Sequence, residues 1–98
     1  MNFERFVEGD VVRYAITGRV DSNTAPILDE ELKKGIENVT NLVIDLEKLE
    51  YTSSAGLRVF LATYKTMSKQ GSLVFINVSD AVKEIFDLTG MSDFFTIK

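Results

Sequence analysis

Cysteine and histidine are both missing from the 98 residues, tryptophan is missing too, and there is one proline. Without cysteine there is no disulfide and no thiol chemistry, and without histidine a Ser-His-Asp relay lacks its base. A zinc site would have only carboxylates to use. No apolar run approaches the ~20 residues that span a bilayer. The opening MNFERFVEGD has neither the basic nor the apolar segment of a secretion signal. A soluble, cytoplasmic protein is therefore expected. Positive charge is in short supply: eleven Lys and Arg stand against fifteen Asp and Glu, a net charge of −4. That balance argues against nucleic acid or an anionic membrane as the main partner. Phosphate-cradling glycines are absent as well, since Gly56 stands alone without further glycines or a lysine. Ser54, between Ser53 and Ala55, does not form a G-x-S-x-G elbow. No catalytic centre, cofactor or metal is expected.

What remains is an ordinary globular composition, 45% hydrophobic and 27% charged, in a chain long enough for one core. Residues 2–8 and Val11 to Thr17 read as two strands around a Gly9-Asp10 turn, an antiparallel hairpin whose charged first strand suits a sheet edge. Ser22-Asn23-Thr24 supplies helix caps, and Pro26 fits a first turn, so a helix should start close to Asn23 or Thr24. Its apolar stripe is Ala25, Leu28, Leu32 and Ile36, and its end lies around Ile36 to Asn38. Leu42 to Leu46 and Leu73 to Val78 are aliphatic runs that read as strands buried on both faces. Between them a helix begins near Ser54, turns Leu57, Phe60, Leu61, Tyr64 and Met67 inward, and is capped by Gly71. A third helix, capped by Ser79 or Asp80, buries Val82, Ile85 and Phe86 and stops at Gly90; Phe94 to Ile97 complete the set as a strand. The order β-β-α-β-α-β-α-β predicts a single α/β domain with a mostly parallel sheet and an N-terminal antiparallel edge pair.

Two groups of side chains invite a functional reading. Asp21 and Asp45 each close or follow a strand, which places both at the edge of an open α/β sheet where ligands bind. The simpler reading has Asp21 capping a turn and Asp45 accepting backbone hydrogen bonds. Ser53 and Ser54 sit where a strand hands over to a helix, and serine there is first of all a helix cap, contributing about 1 kcal/mol. The alternative is phosphorylation, because a helix N-terminus tolerates a phosphate, which adds about −1.5 to −2 charge at one corner.

The residues themselves resemble a known family. Gly18-x-Val20-Asp21, then V-I-D-L-x-x-L-x-Y-x-S-S-A-G-L from Val43 to Leu57, then A-V-K-E-I-F-D-L-T-G from Ala81 to Gly90, are similar to the STAS domains of bacterial anti-sigma factor antagonists. The central motif is fairly specific. The resemblance implies a binding protein with no catalysis of its own. Such an antagonist binds an anti-sigma factor that is also a serine kinase, is released when that kinase phosphorylates it, and is reset by a serine phosphatase. Aligned through Ala55-Gly56-Leu57, the family's phosphoacceptor falls on Ser54, and Asp21, Ser53, Ser54, Gly56, Leu57 and Arg58 are expected to border the partner surface. Many members carry aspartate where this chain has Ser53, so a negative charge beside the acceptor is lost here. Two other readings stand beside this one: a STAS subunit that binds protein in a lipid-transport or signalling assembly without switching, and a small enzyme using Asp21 and Asp45.

Overall fold

The alternation of side chains along the strands sorts into one covered face and one open face. The computed structural model describes all 98 residues, Met1–Lys98. Strands β1 (Asn2–Glu8) and β2 (Val11–Val20) form the antiparallel hairpin, and helix α1 (Ala25–Gly35) follows. The chain continues through β3 (Asn41–Asp45), β4 (Leu49–Thr52), α2 (Ser54–Gln70), β5 (Ser72–Ile76), α3 (Asp80–Leu88), a short 3-10 turn at Met91–Asp93 and β6 (Thr96–Ile97). The sheet runs β1-β2-β3-β5-β6, with every pairing parallel except β1 with β2. As expected, β1 lies at an edge. One row of the register, Tyr14–Ile44–Phe75, is fully buried. Phe60 of α2 and Phe86 of α3 pack edge-on against Phe75, while the Tyr14 hydroxyl donates to Glu31 of α1 at 2.8 Å. All three helices therefore cover the same face.

That arrangement corrects the sequence reading of β3 and β5 as strands buried on both sides. Leu42, Ile44, Leu73 and Phe75 are buried, but Val43, Asp45, Val74 and Ile76 turn to the uncovered face and are only half-buried. The aliphatic content of these strands reflects β-branched preference for the pleated surface as much as burial. A second difference is β4, which the sequence reading passed over as a connection. It continues the ladder along β2: β3 pairs with Val11–Ala15, and β4 pairs with Gly18–Val20, with a register shift between Gly18 and Arg19. β2 accordingly runs three residues beyond the expected Thr17, to Val20. The last strand is shorter than expected, because Phe94 is exposed after the 3-10 turn and only Thr96–Ile97 join the sheet.

Tyr14 illustrates how the core handles a polar atom. Its ring is fully buried, and desolvation, with the Glu31 carboxylate second, pushes the phenol up to about 12. The hydroxyl thus stays a donor. It also fills the space beside Gly35, where an added Cβ would lie 1.6 Å from the oxygen.

Candidate functional site

Two parallel strands, β2 and β4, end side by side, and each delivers the chain to the start of a helix. Val20 lies opposite Thr52, and the Ser53 amide donates to the Val20 carbonyl at 2.8 Å, so the two junctions are stitched together. At the first junction Asp21 does the capping. Its Oδ1 accepts from the amides of Asn23 at 2.9 Å and Thr24 at 3.0 Å, while the Asp21 amide donates to the Thr24 hydroxyl at 2.9 Å. The Ala25 amide donates to the Asp21 carbonyl at 2.8 Å, an i to i−4 bond. This reciprocal pattern is a capping box, with Asp21 as the cap three residues before Thr24. This turn lies just ahead of α1, whose boundary falls at Thr24 as expected from the sequence; the Ile27 and Leu28 amides both donate to the Thr24 carbonyl at 3.1 Å.

The same amide contacts, Thr24 first and Asn23 second, hold the Asp21 carboxyl below the usual carboxylate range. Its folded value being depressed, the stabilisation it brings is complete above the unfolded value of about 3.9 and is lost as pH falls through the folded value. Removing the carboxylate in Asp21→Ala is expected to lower the urea midpoint at pH 7 and to flatten the loss of stability below about pH 4. Urea titrations of both proteins at pH 7 and below 4 check this; an unchanged acid limb would count against the cap. Asp87, held down by Ser92 and Lys83, supplies acid dependence that persists in the variant.

At the second junction the structure separates the two serines. Ser53 has extended backbone, φ −85° and ψ 176°, and its hydroxyl accepts from the Gly56 amide at 3.3 Å: it is the N-cap of α2. Ser54 is the first helical residue; it is exposed, and its hydroxyl makes no hydrogen bond within the protein. Capping and accessibility, which the sequence left shared between them, thus fall on different residues. Ser53→Ala should cost about 1 kcal/mol in chemical denaturation and Ser54→Ala close to nothing; equal losses would contradict this division.

Gly56 and Leu57 are buried, so neither offers side-chain surface to a partner, although both were expected to border one. Gly56 is small because α2 begins against the strand ends: an added Cβ would lie 2.2 Å from the Thr52 hydroxyl and 2.8 Å from a Val20 methyl. Arg58 is exposed one turn beyond Ser54 and lines an open groove of about 310 Å³ between α1 and α2 with Ala25, Pro26, Ala55 and Val59. Of the residues singled out from sequence, the structure gathers Asp21, Ser53, Ser54 and Arg58 around one corner. Asp45 lies elsewhere. It is level with Ala15 in the β2–β3 register, on the order of 20 Å along the strand from Asp21. There it faces Arg13 at 3.7 Å and accepts from the Glu47 amide and the Asn77 side chain. At that separation the two carboxylates cannot flank one reacting bond, which contradicts an enzyme site built from Asp21 and Asp45.

Sequence reasoning missed the α1 side of this corner. Pro26 and Ile27 stand off the buried stripe, and Ile27 is 56% exposed. An apolar residue outside the stripe was the available signal. Tyr51 of β4 was missed for the same reason as its strand; the Arg19 guanidinium stacks 4.4 Å from its ring centre. No helix is long and apolar enough to cross a membrane.

Comparison with known proteins adds to this geometry. Residues 3–98 match the family model for the STAS domain. The anti-sigma-B factor antagonist of Bacillus subtilis is 38% identical over 87 residues, covering 88% of this chain and 80% of that protein. Among solved structures, an anti-sigma factor antagonist from Mycobacterium paratuberculosis superposes with a TM-score of 0.90 at 26% identity, over 98% of this chain and 83% of the other. The phosphorylated form of the Bacillus cell fate determinant SpoIIAA shares the fold at a TM-score of 0.75 and 18% identity, over 99% of this chain and 91% of that one. The sheet order, the helices on one face and the sequence match agree, and this chain belongs to the STAS domain family.

Proposed function

We propose that this protein is an anti-sigma factor antagonist that works by partner switching, with Ser54 as its phosphoacceptor. Unmodified, it binds an anti-sigma factor that is also a serine kinase, and so frees a sigma factor. That kinase transfers the γ-phosphoryl group of ATP to the Ser54 hydroxyl, ADP leaves, and the complex breaks; a serine phosphatase restores the first state. The observation that carries this reading is the exposed, unbonded Ser54 hydroxyl beside a serine that already caps the helix. In one relative named for antagonism of an anti-sigma factor, identity of 38% extends over 88% of this chain. Asp21 supports the site by fixing the neighbouring junction, and Gly56 and Leu57 by seating α2 on the strands. Ser53 supplies the cap without placing a carboxylate next to the phosphate.

The test is incubation with ATP and candidate anti-sigma kinases of the same genome, followed by mass spectrometry. Phosphate is expected at Ser54, absent in Ser54→Ala and retained in Ser53→Ala. Phosphate at Ser53 alone overturns the assignment. A stable complex with a membrane-transport ATPase and no phosphate at either serine favours the non-switching reading.

A further inference from the structure

Arg58 is a charged side chain at this corner with nothing to hold it. The adjoining elements carry Arg13, Tyr14 and Arg19 on β2 with Asp21 just after it, Glu50 and Tyr51 on β4, and Asp29, Glu30, Glu31, Lys33 and Lys34 on α1. Asp21 is occupied by the amides of Asn23 and Thr24, and Asp29 by Lys33 at 2.8 Å. Arg19 lies on the Tyr51 ring. Arg58 makes no ion pair, no side-chain hydrogen bond and no stacking contact, and it is exposed on the groove between α1 and α2. Ser54 and Arg58 are four residues apart on α2, so they share a face with Cβ atoms about 5–6 Å apart. An anion N-terminal to a cation at this spacing is the favourable order. The helix offers no competing acid, since its first turn contains none.

We propose that Arg58 is the internal counter-ion of phosphorylated Ser54, and that modification draws its guanidinium off the α1–α2 groove onto the phosphate. This rests on Ser54 being the acceptor. The guanidinium fork matches two phosphate oxygens, and a long flexible stem lets it reach them without backbone movement. Phosphorylation then changes the partner surface twice: an anion appears at the helix start, and a cation leaves the groove. It also favours the dianion over the monoanion, because Arg58 attracts the doubly charged form more strongly.

The experiment uses full-length protein with phosphoserine encoded at position 54, so that no kinase is involved, and follows the phosphate by ³¹P NMR across pH 4–9. At this spacing in water, one positive charge lowers the second ionisation by about half a unit. The parent is therefore expected to titrate about half a unit below Arg58→Gln, with Arg58→Lys between them. In 1 M NaCl the difference should shrink. Identical titration of parent and Arg58→Gln overturns the proposal, as does a difference that salt leaves unchanged. Failure of every kinase to modify Ser54 would instead remove the physiological reading while leaving this titration interpretable.

Discussion

Phosphoserine at position 54 is expected to weaken binding to an anti-sigma factor partner by about 100-fold while leaving the fold as it is. The first half follows from desolvation. A partner seated over this corner meets a newly buried charge of about −1.5 to −2, and an imperfectly paired buried charge costs about 2–5 kcal/mol at an interface. At 1.4 kcal/mol per factor of ten, even a value near 3 removes two orders of magnitude. The second half follows from position. Ser54 is exposed, its hydroxyl holds no other group, and the cap of α2 is supplied by Ser53. Phosphate there replaces no intramolecular bond and lies at the positive end of the helix. Calorimetric titration of the two forms with the partner, beside their thermal melts, measures both parts. Equal affinities would sink the switch. A large drop in melting temperature would mean that affinity was lost through unfolding. Ser54→Asp should reproduce part of the effect with its single charge.

Gly71→Ala is expected to be the most damaging single methyl in the chain, costing about 3 kcal/mol or more. Gly71 closes α2, its amide donating to the Met67 carbonyl at 2.7 Å, and β5 starts at the next residue. Its φ of 170° lies outside the left-handed region, so the left-handed cap that the sequence suggests is not why glycine stands here. Space is the reason. An added Cβ would lie 1.9 Å from the Thr40 carbonyl oxygen and 2.8 Å from its carbon. That oxygen accepts from the Ser72 amide at 2.9 Å, which sets the start of the β3–β5 ladder, and no side-chain rotation relieves a clash between two backbones. A urea midpoint lowered without a change in slope is the expected result. A loss below about 1 kcal/mol would show that the two segments can separate freely.

The two substitutions mark where local and long-range information divide. Elements whose cause lies within a few residues are legible in one dimension. The stripe of Ala25, Leu28, Leu32 and Ile36, the alternation of Val12, Tyr14 and Ile16, and the serine and asparagine-rich junctions gave the helices, the main strands and their order. They also gave the corner at Ser53 and Ser54, with the family resemblance pointing to Ser54. Periodicity and capping are properties of neighbouring residues, so they survive in one dimension.

Other features depend on residues that meet only after the chain has folded. Leu49–Thr52 alternates too weakly to announce a strand; it is one because the free end of β2 needs a partner beyond β3. Val43, Val74 and Ile76 are as apolar as buried residues, yet they stay half-buried because all three helices cross to the other face. Asp21 and Asp45 look equivalent in the sequence, yet register sets them far apart along β2. The two serines are chemically alike; which one caps and which one faces water was fixed by the Ser53 amide bonding to Val20, a contact between strands that meet only in the folded chain.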